Sequence, residues 1–357
     1  MTTVFCTLYN SLYLDKGLVL YDSLCECAKD FKLYVLCMDE KCYEVLTDLK
    51  QEHHVPVRLS DFEASDGALL KAKSNRSMSE YCWTCSSTFI RYVLNNYREE
   101  HCTYIDADMF FYQDPKLLID EMRSAGKTVM ITPHRFTPDK MHFLKNGIYC
   151  VEFNTFCNEE GSLRVLNKWC AQCLECCTSV YDGVHFGDQK YMDSWPNDYP
   201  GVVHECQHPG AGTAPWNIGW YRQIDAEKHI VLYKKDNSKV PIVFHHFHQV
   251  SYETQHRVRT GVLDGLSDVD YHLVKDLYIP YLLLIDKKKQ MLKKRYGIDA
   301  LILIHPAHAN RVSKWKRFLL NIQFVRVLYE IMNPKNGPKS FIIVLPQKTE
   351  RYQKNAT

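Results

Sequence analysis

The run Cys102-Thr103-Tyr104-Ile105 ends in Asp106-Ala107-Asp108 and is followed at once by Met109-Phe110-Phe111. An apolar run of this kind is comfortable only as a buried strand. A buried strand that stops at two carboxylates one residue apart needs something to neutralise them. Two hard oxygen ligands at the mouth of a sheet suit Mg²⁺ or Mn²⁺, which keep positions open for the phosphates of a substrate. A strand end capped by solvated acids explains the same pattern, so the motif taken alone leaves both readings open.

The residues ahead of the motif say what kind of sheet it belongs to. Val4 to Leu8 reads as a short buried strand, Asp15 to Ala28 as a helix, Phe31 to Met38 as a second strand, the stretch through Leu49 as a helix, and Val55 to Leu59 as a third strand. Strand, helix, strand, helix, strand is the pattern of a parallel sheet with crossover helices. Residues 60 to 78 are polar and turn-rich, with Ser74-Asn75-Arg76-Ser77 as the expected loop, and a helix is expected from about Glu80 to Tyr97. The paired acids then fall at the carboxyl end of a central strand, where open α/β sheets bind ligands. Downstream, Thr128 to Thr132 and Gly147 to Phe156 read as strands, Ser162 to Cys177 as a helix, and Gly187 to Met192 as the start of a short helix. Pro209 to Asn217 is rich in Gly, and the sheet is expected to resume at Pro241 to His246.

With 357 residues, 46% of them hydrophobic, the chain can build one large α/β domain with an appendage. The net charge of +2 hides an asymmetry: from Asp286 onward sixteen Lys or Arg stand against four Asp or Glu, and the preceding body is acidic. That distribution is poor material for nucleic-acid binding and suits an anionic membrane surface at the tail. A domain boundary is expected at 264/265, with a helical, basic region beyond it. There Val312 to Ile331 sets Trp315, Phe318, Leu319, Ile322, Val325 and Tyr329 near one helical face. Such a helix can lie on lipid or pack on the body. The first residues lack a basic n-region and an apolar h-region, and no apolar run is long enough to span a bilayer. Fifteen cysteines without a secretory signal argue for reduced thiols. The expected location is the cytoplasm, with the tail able to hold the protein at the inner face of a membrane.

Taken in order, Thr7-Leu8-Tyr9 and Tyr13 after the first strand, Asp106-Ala107-Asp108, the Asn154 strand, Gly187-Asp188-Gln189 and the late His245-His246-Phe247-His248 segment resemble the metal-dependent GT-A glycosyltransferases. Within that fold the resemblance is to the retaining, glycogenin-like and lipopolysaccharide galactosyltransferase-like group, over roughly residues 3 to 250. It implies a Rossmann-like, mostly parallel sheet flanked by helices, and transfer of a sugar from a nucleotide-diphosphate donor, by family default a UDP-sugar, to a hydroxyl acceptor with retention. It further implies Mn²⁺ or Mg²⁺ held by Asp106, Asp108 and His246, with Asp106 also reaching the ribose. His245 and His248 are rival ligands; strand alternation sets His246 and His248 on one face and His245 on the other. In the place of Asp188-Gln189 the family presents a side chain to the sugar face opposite the leaving group. There Gln189 would stabilise an oxocarbenium-like transition state, and Asp188 is the nearest carboxylate for a double displacement. Thr7, Tyr9 and Tyr13 match the region that holds base and ribose. Arg76 or Arg91 stands in for the helix arginine that reaches the donor, and Asn154, Trp216 and Asn217 would face sugar or acceptor. This chain departs from the family's His-x-x-Gly, having Gln249 in place of the Gly.

Cys82-x-x-Cys85 and Cys170-x-x-Cys173-x-x-Cys176-Cys177 invite a zinc reading. Helical spacing puts Cys170, Cys173 and Cys177 on one side as small apolar residues, which favours a core role. Two other functions remain open from sequence: a haloacid dehalogenase-like phosphotransferase, which also sets Asp-x-Asp after an apolar strand, and a non-catalytic nucleotide-sugar- or lipid-binding protein.

Overall fold

The computed structural model describes residues 2–254, 256–263, 266, 268–299 and 340–345. The chain forms two compact units, Met1–His246 with Asp268–Ala300, and Phe247–Ser267 with Leu301–Thr357. The expected boundary at 264/265 lies within a segment of the second unit, and the helix expected at 312–331 lies outside the described residues.

The first unit opens with the anticipated alternation: β1 (Thr3–Tyr9), α1 (Leu14–Cys27), β2 (Phe31–Cys37), α2 (Glu40–Leu49) and β3 (His54–Arg58). Next come α3 (Leu59–Ala64), α4 (Gly67–Lys73), α5 (Met78–Tyr97), β4 (His101–Ile105), β5 (Met109–Phe111), α6 (Lys116–Ser124) and β6 (Val129–Pro133). After them stand β7 (Tyr149–Cys157), α7 (Glu160–Glu175), α8 (Trp195–Asp198), β8 (Val203–Glu205), β9 (Tyr221–Asp225), β10 (Ile230–Tyr233), β11 (Ser238–Pro241) and β12 (Phe244–His246). In the second unit β13 (Ser251–Thr254), β14 (Arg257–Leu263) and, late in the chain, β15 (Ser340–Val344) form an antiparallel sheet in the order β13-β14-β15. The first unit is completed by α9 (Tyr271–Tyr296).

The main sheet has seven strands in the order β3-β2-β1-β4-β7-β6-β8. Its pairs are parallel except where β7 runs antiparallel to β4 and β6. Strands β1, β4 and β7 are buried along their whole length, as central strands covered on two faces must be. On one face Phe5, Leu33, Val35 and Phe153 meet Leu18 and Leu24 of α1; on the other Val4, Cys6 and Leu36 meet Phe89 and Val93 of α5 and Trp169 of α7.

Local chemistry fixes where the helices start. Asp39 accepts from the Cys42 N–H to cap α2, and Ser77 with Glu80 forms a reciprocal capping box at α5. The expected loop at 74–77 joins α4 to α5, and the polar stretch ahead of it is helical. Asp66 caps α4 by accepting from the Ala68 N–H, and Leu69 and Ala72 are buried beneath it, so a short polar-looking stretch becomes two helices through tertiary burial.

A second correction concerns the late strand. Residues 241 to 246 do not return to the main sheet: β12 pairs antiparallel with β5 in a separate two-stranded ribbon, Phe244 opposite Phe111 and His246 opposite Met109. Pairing with β5 rather than with a sheet edge is a non-local choice that alternation within β12 cannot reveal.

Gly17 lets α1 close onto β1, because a methyl group there would overlap the buried Tyr9 ring. Gly17→Ala should therefore destabilise the fold by about 1–3 kcal/mol, the range for overpacking. Urea unfolding checks it; a change below about 0.5 kcal/mol would mean that the ring is free to move aside.

Candidate active site

β4 delivers Asp106 at its carboxyl end, a turn through Ala107 and Asp108 leads into β5, and the ribbon register sets His246 opposite Met109. Residues 138 positions apart are thereby brought together. His246 Nε2 lies 3.1 Å from Asp108 Oδ1 and 3.7 Å from Asp106 Oδ2. On its other side His246 Nδ1 is 2.8 Å from Glu152 Oε2 of β7. The imidazole side chain is 4% exposed and Glu152 is fully buried, while Asp106 keeps 31% of its side-chain surface.

Burial alone would strip the proton from His246. The charge of Asp108 and hydrogen bonds with Asp108, Cys150 and Glu152 outweigh that and hold the imidazolium well above its ordinary range. Asp106 is pushed the other way for a carboxyl, upward, by burial and by the charges of Asp108, Asp188 and Glu152, with His246 opposing. The imidazolium is thus the positive charge that the acids require when no other cation is there.

The donor set fits a divalent cation. Two carboxylate oxygens converge on Nε2, a combination of hard oxygen and borderline nitrogen that suits Mn²⁺ or Mg²⁺. Among the described residues, the three potential ligand atoms that all lie within 4.8 Å of one another are Cys150 Sγ, a Glu152 oxygen and a His246 nitrogen. A carboxylate at Nδ1 is the arrangement that fixes the tautomer of a ligating histidine and leaves Nε2 for the ion. Glu152 Oε1 is buried without a hydrogen-bond partner, and Gly212 (φ +74°) makes room for it: a Cβ at Gly212 would stand 2.6 Å from Oε1.

His245 is turned away, as alternation predicts. Nδ1 lies 3.0 Å from Thr213 Oγ1 and Nε2 lies 3.3 Å from the Tyr278 hydroxyl, and burial pushes its pKa down to about 3. β12 ends at His246, so alternation does not carry to His248.

Asp188 joins the cluster. Its charge contributes to the raised pKa of Asp106, and it bears likewise on the Tyr104 hydroxyl, which donates to Asp106 Oδ1 at 3.3 Å. Asp188 is 5% exposed, accepts from the Ser86 hydroxyl at 2.6 Å, and is pushed up to about 6 by burial, with the Ser86 bond opposing. Next to it the Gln189 amide donates to the Asn146 carbonyl at 2.9 Å. Asn154 lies opposite Tyr104 across the β4–β7 pair; its Nδ2 is 3.3 Å from Met192 Sδ and its Oδ1 is buried without a partner. Trp216 packs edge to face on His246, ring centroids 5.3 Å apart.

Around the first strand the expected residues separate. The Tyr13 hydroxyl is pushed up by burial and by the charges of Asp108, Asp15 and Asp106, which places it at the acid cluster. Thr7 is fully buried, its hydroxyl without a hydrogen-bond partner. Tyr9, expected at the nucleotide, packs its ring on Gly17 in the core. Arg76, expected to reach the donor, spends its guanidinium on Thr84 and on the carbonyls of Cys173 and Leu174, at 2.6 and 2.8 Å for the carbonyls, where α7 ends. Arg91 pairs with Asp66 at 2.8 Å. Asn217, expected at the substrate, is consumed by its own loop: Oδ1 accepts from the Ala214 N–H at 2.9 Å and Nδ2 donates to the His134 and Gly212 carbonyls.

No family model matches the chain. Two proteins of Bacillus subtilis (strain 168) do. YfnD, described as uncharacterized, is 32% identical over 283 residues, 78% of this chain and 87% of YfnD; YfnF, described likewise, is 34% identical over 256 residues, 69% of this chain and 81% of YfnF. The chain belongs to the YfnD family. Among solved structures, the galactosyltransferase LgtC with donor and acceptor sugar analogs superposes with a TM-score of 0.50 at 11% identity, covering 80% of this chain and 96% of LgtC. Mouse xyloside xylosyltransferase 1 gives 0.46 at 11%, over 70% of this chain and 98% of that one. The fold of this YfnD-family chain is thus the expected GT-A fold, in the arrangement of LgtC, which sets aside a haloacid dehalogenase-like one.

Glu152 and Ser86 escape sequence reasoning. Glu152 did leave a trace: it is the acid inside a nine-residue strand that is otherwise apolar or small and buried throughout. A charge in such a run requires a partner.

Unfolded, the Asp188 carboxyl titrates near about 3.9; folded, near 6. Between those values the folded state holds the extra proton, so this contribution to stability is lost as pH rises through about 6. The loss amounts to about 3 kcal/mol at two pKa units. Asp188→Asn should lack it, so urea unfolding should show the variant gaining on the parent between about pH 4 and pH 6. A gap independent of pH would contradict a buried, titrating Asp188.

Proposed function

We propose that the protein is a divalent-cation-dependent glycosyltransferase that moves a sugar from a nucleotide-diphosphate donor, a UDP-sugar, to a hydroxyl acceptor with retention. The observation that carries this reading is His246 Nε2 standing 3.1 Å from Asp108 and 3.7 Å from Asp106 at the carboxyl end of a central strand. Asp106, Asp108 and His246 would hold Mn²⁺ or Mg²⁺, which when bound neutralises charge developing on the diphosphate leaving group.

This chain's residues supply the rest. Glu152 fixes the His246 tautomer so that Nε2 faces the acids. Asp188 is poised to present a carboxylate to the sugar: with its pKa near 6 it is ionised at neutral pH, and the Ser86 hydroxyl holds its orientation. Gln189 offers an amide oxygen beside it, and Asn154 a buried carbonyl oxygen without a partner. Thr7 and Tyr13 line the nucleoside side, and Trp216, set against His246, offers a ring on which an acceptor sugar can stack. A glycan borne on a membrane is the acceptor that fits the sixteen basic residues beyond Asp286.

Nucleotide release from UDP-sugars, with and without Mn²⁺, tests the reading. Activity should require the ion, and Asp108→Ala should lower kcat/KM at least about a hundredfold, in keeping with several kcal/mol of charge stabilisation. Turnover that survives both EDTA and Asp108→Ala would refute it.

A further inference from the structure

The proposed reaction needs more positive charge than one ion provides. A cation held by two carboxylates keeps little net charge for a diphosphate, so a side-chain cation is required on the donor. Arg76 and Arg91, the residues expected to provide it, are engaged elsewhere.

Lys16 is a buried cation at the right place. It lies in the first turn of α1, 4% exposed. β1 and β4 are parallel neighbours, Cys6 beside Tyr104, so the chain leaving β1 and the chain leaving β4 emerge at the same edge of the sheet. α1 then follows β5: the Phe111 N–H donates to Ser23 Oγ at 3.2 Å, and Cys27 Sγ donates to the Phe111 carbonyl at 3.4 Å. Its later turns thus sit at Phe111, and Tyr13, which directly precedes its first turn, feels the charge of Asp108. Tyr13, whose hydroxyl feels the charges of Asp108 and Asp106, carries the Lys16 ammonium over its ring, 4.1 Å from the centroid.

The carboxylate beside Lys16 is Asp15 at 3.5 Å, too far for a hydrogen bond, and fully buried Asp15 also faces Lys289 of α9 at 3.7 Å. A buried ammonium with an aromatic face on one side and a shared, distant carboxylate on another has its charge only partly compensated. Three N–H donors on a compact charge suit phosphate oxygens.

On the reading that the donor is a nucleotide diphosphate, we infer that Lys16 binds the donor's diphosphate, with Asp15 and the Tyr13 ring positioning its ammonium. Lys16 would then add its positive charge to that of the ion in stabilising the leaving group.

Calorimetric titration with UDP in Mn²⁺, with GDP and ADP in parallel, tests this on the parent and on Lys16→Met. The variant should bind Mn²⁺ as the parent does in the absence of nucleotide, and bind UDP roughly ten- to a hundredfold more weakly, as for loss of a hydrogen bond to a charged group. UDP affinity within about twofold of the parent would overturn the role of Lys16 alone, as would parallel loss of Mn²⁺ and UDP. A parent that binds none of the nucleoside diphosphates would overturn the donor reading with it. NMR of the ¹⁵N-lysine-labelled parent reads the buried ammonium itself: UDP with Mg²⁺ should shift the Lys16 Nζ resonance and leave that of exposed Lys29 unchanged, and an unmoved Lys16 resonance would overturn the inference.

Discussion

The hydrogen bond between His246 Nδ1 and Glu152, 2.8 Å long and closed to solvent, is the interaction on which the site depends. It ties the β5–β12 ribbon to β7 of the main sheet and so decides which nitrogen of the imidazole meets Asp106 and Asp108. Without it the ring could rotate, and two carboxylates at a turn would face no fixed partner. Gly212 belongs to the same arrangement, since any side chain there would push Glu152 off His246.

Four acids, Asp106, Asp108, Glu152 and Asp188, meet at this end of the sheet, and their mutual repulsion is visible in the raised carboxyl of Asp106. The protein tolerates this because protonated His246 stands in for a cation. A divalent ion would take the place of that proton, so ion binding and proton release are one event at this centre. The surrounding core is built to keep the geometry: β4 and β7 are buried throughout, and their register sets Asn154 beside Tyr104 and Glu152 near the ribbon.

Much of this was legible in the sequence because it is local. Strand and helix periods gave the first three strands and α1, α2 and α5, and an apolar run ending in Asp106-Ala107-Asp108 located the paired acids at a strand's carboxyl end. Alternation separated His245 from His246. What the sequence hid is what depends on distant partners. The ribbon between β5 and β12 joins segments far apart in the chain. Arg76 looks available until α7 brings its terminal carbonyls to it, and Asn217 looks like a ligand until its loop closes around its amide. Tyr9 points into the core because Gly17 leaves it room, a pairing that only the packing of α1 on β1 reveals. Glu152 was readable in principle as a charge inside an apolar strand, though its partner was not.

The central claim is that His246 and the paired acids share one cation. Electron spin-echo modulation of the Mn²⁺-loaded protein measures this directly, because an imidazole nitrogen bound to the ion imprints its nuclear frequencies on the echo. The account predicts nitrogen modulation in the parent and its disappearance in His246→Gln, with His245 still in place. Modulation that persists in His246→Gln, or is missing from the Mn²⁺-loaded parent, would contradict it.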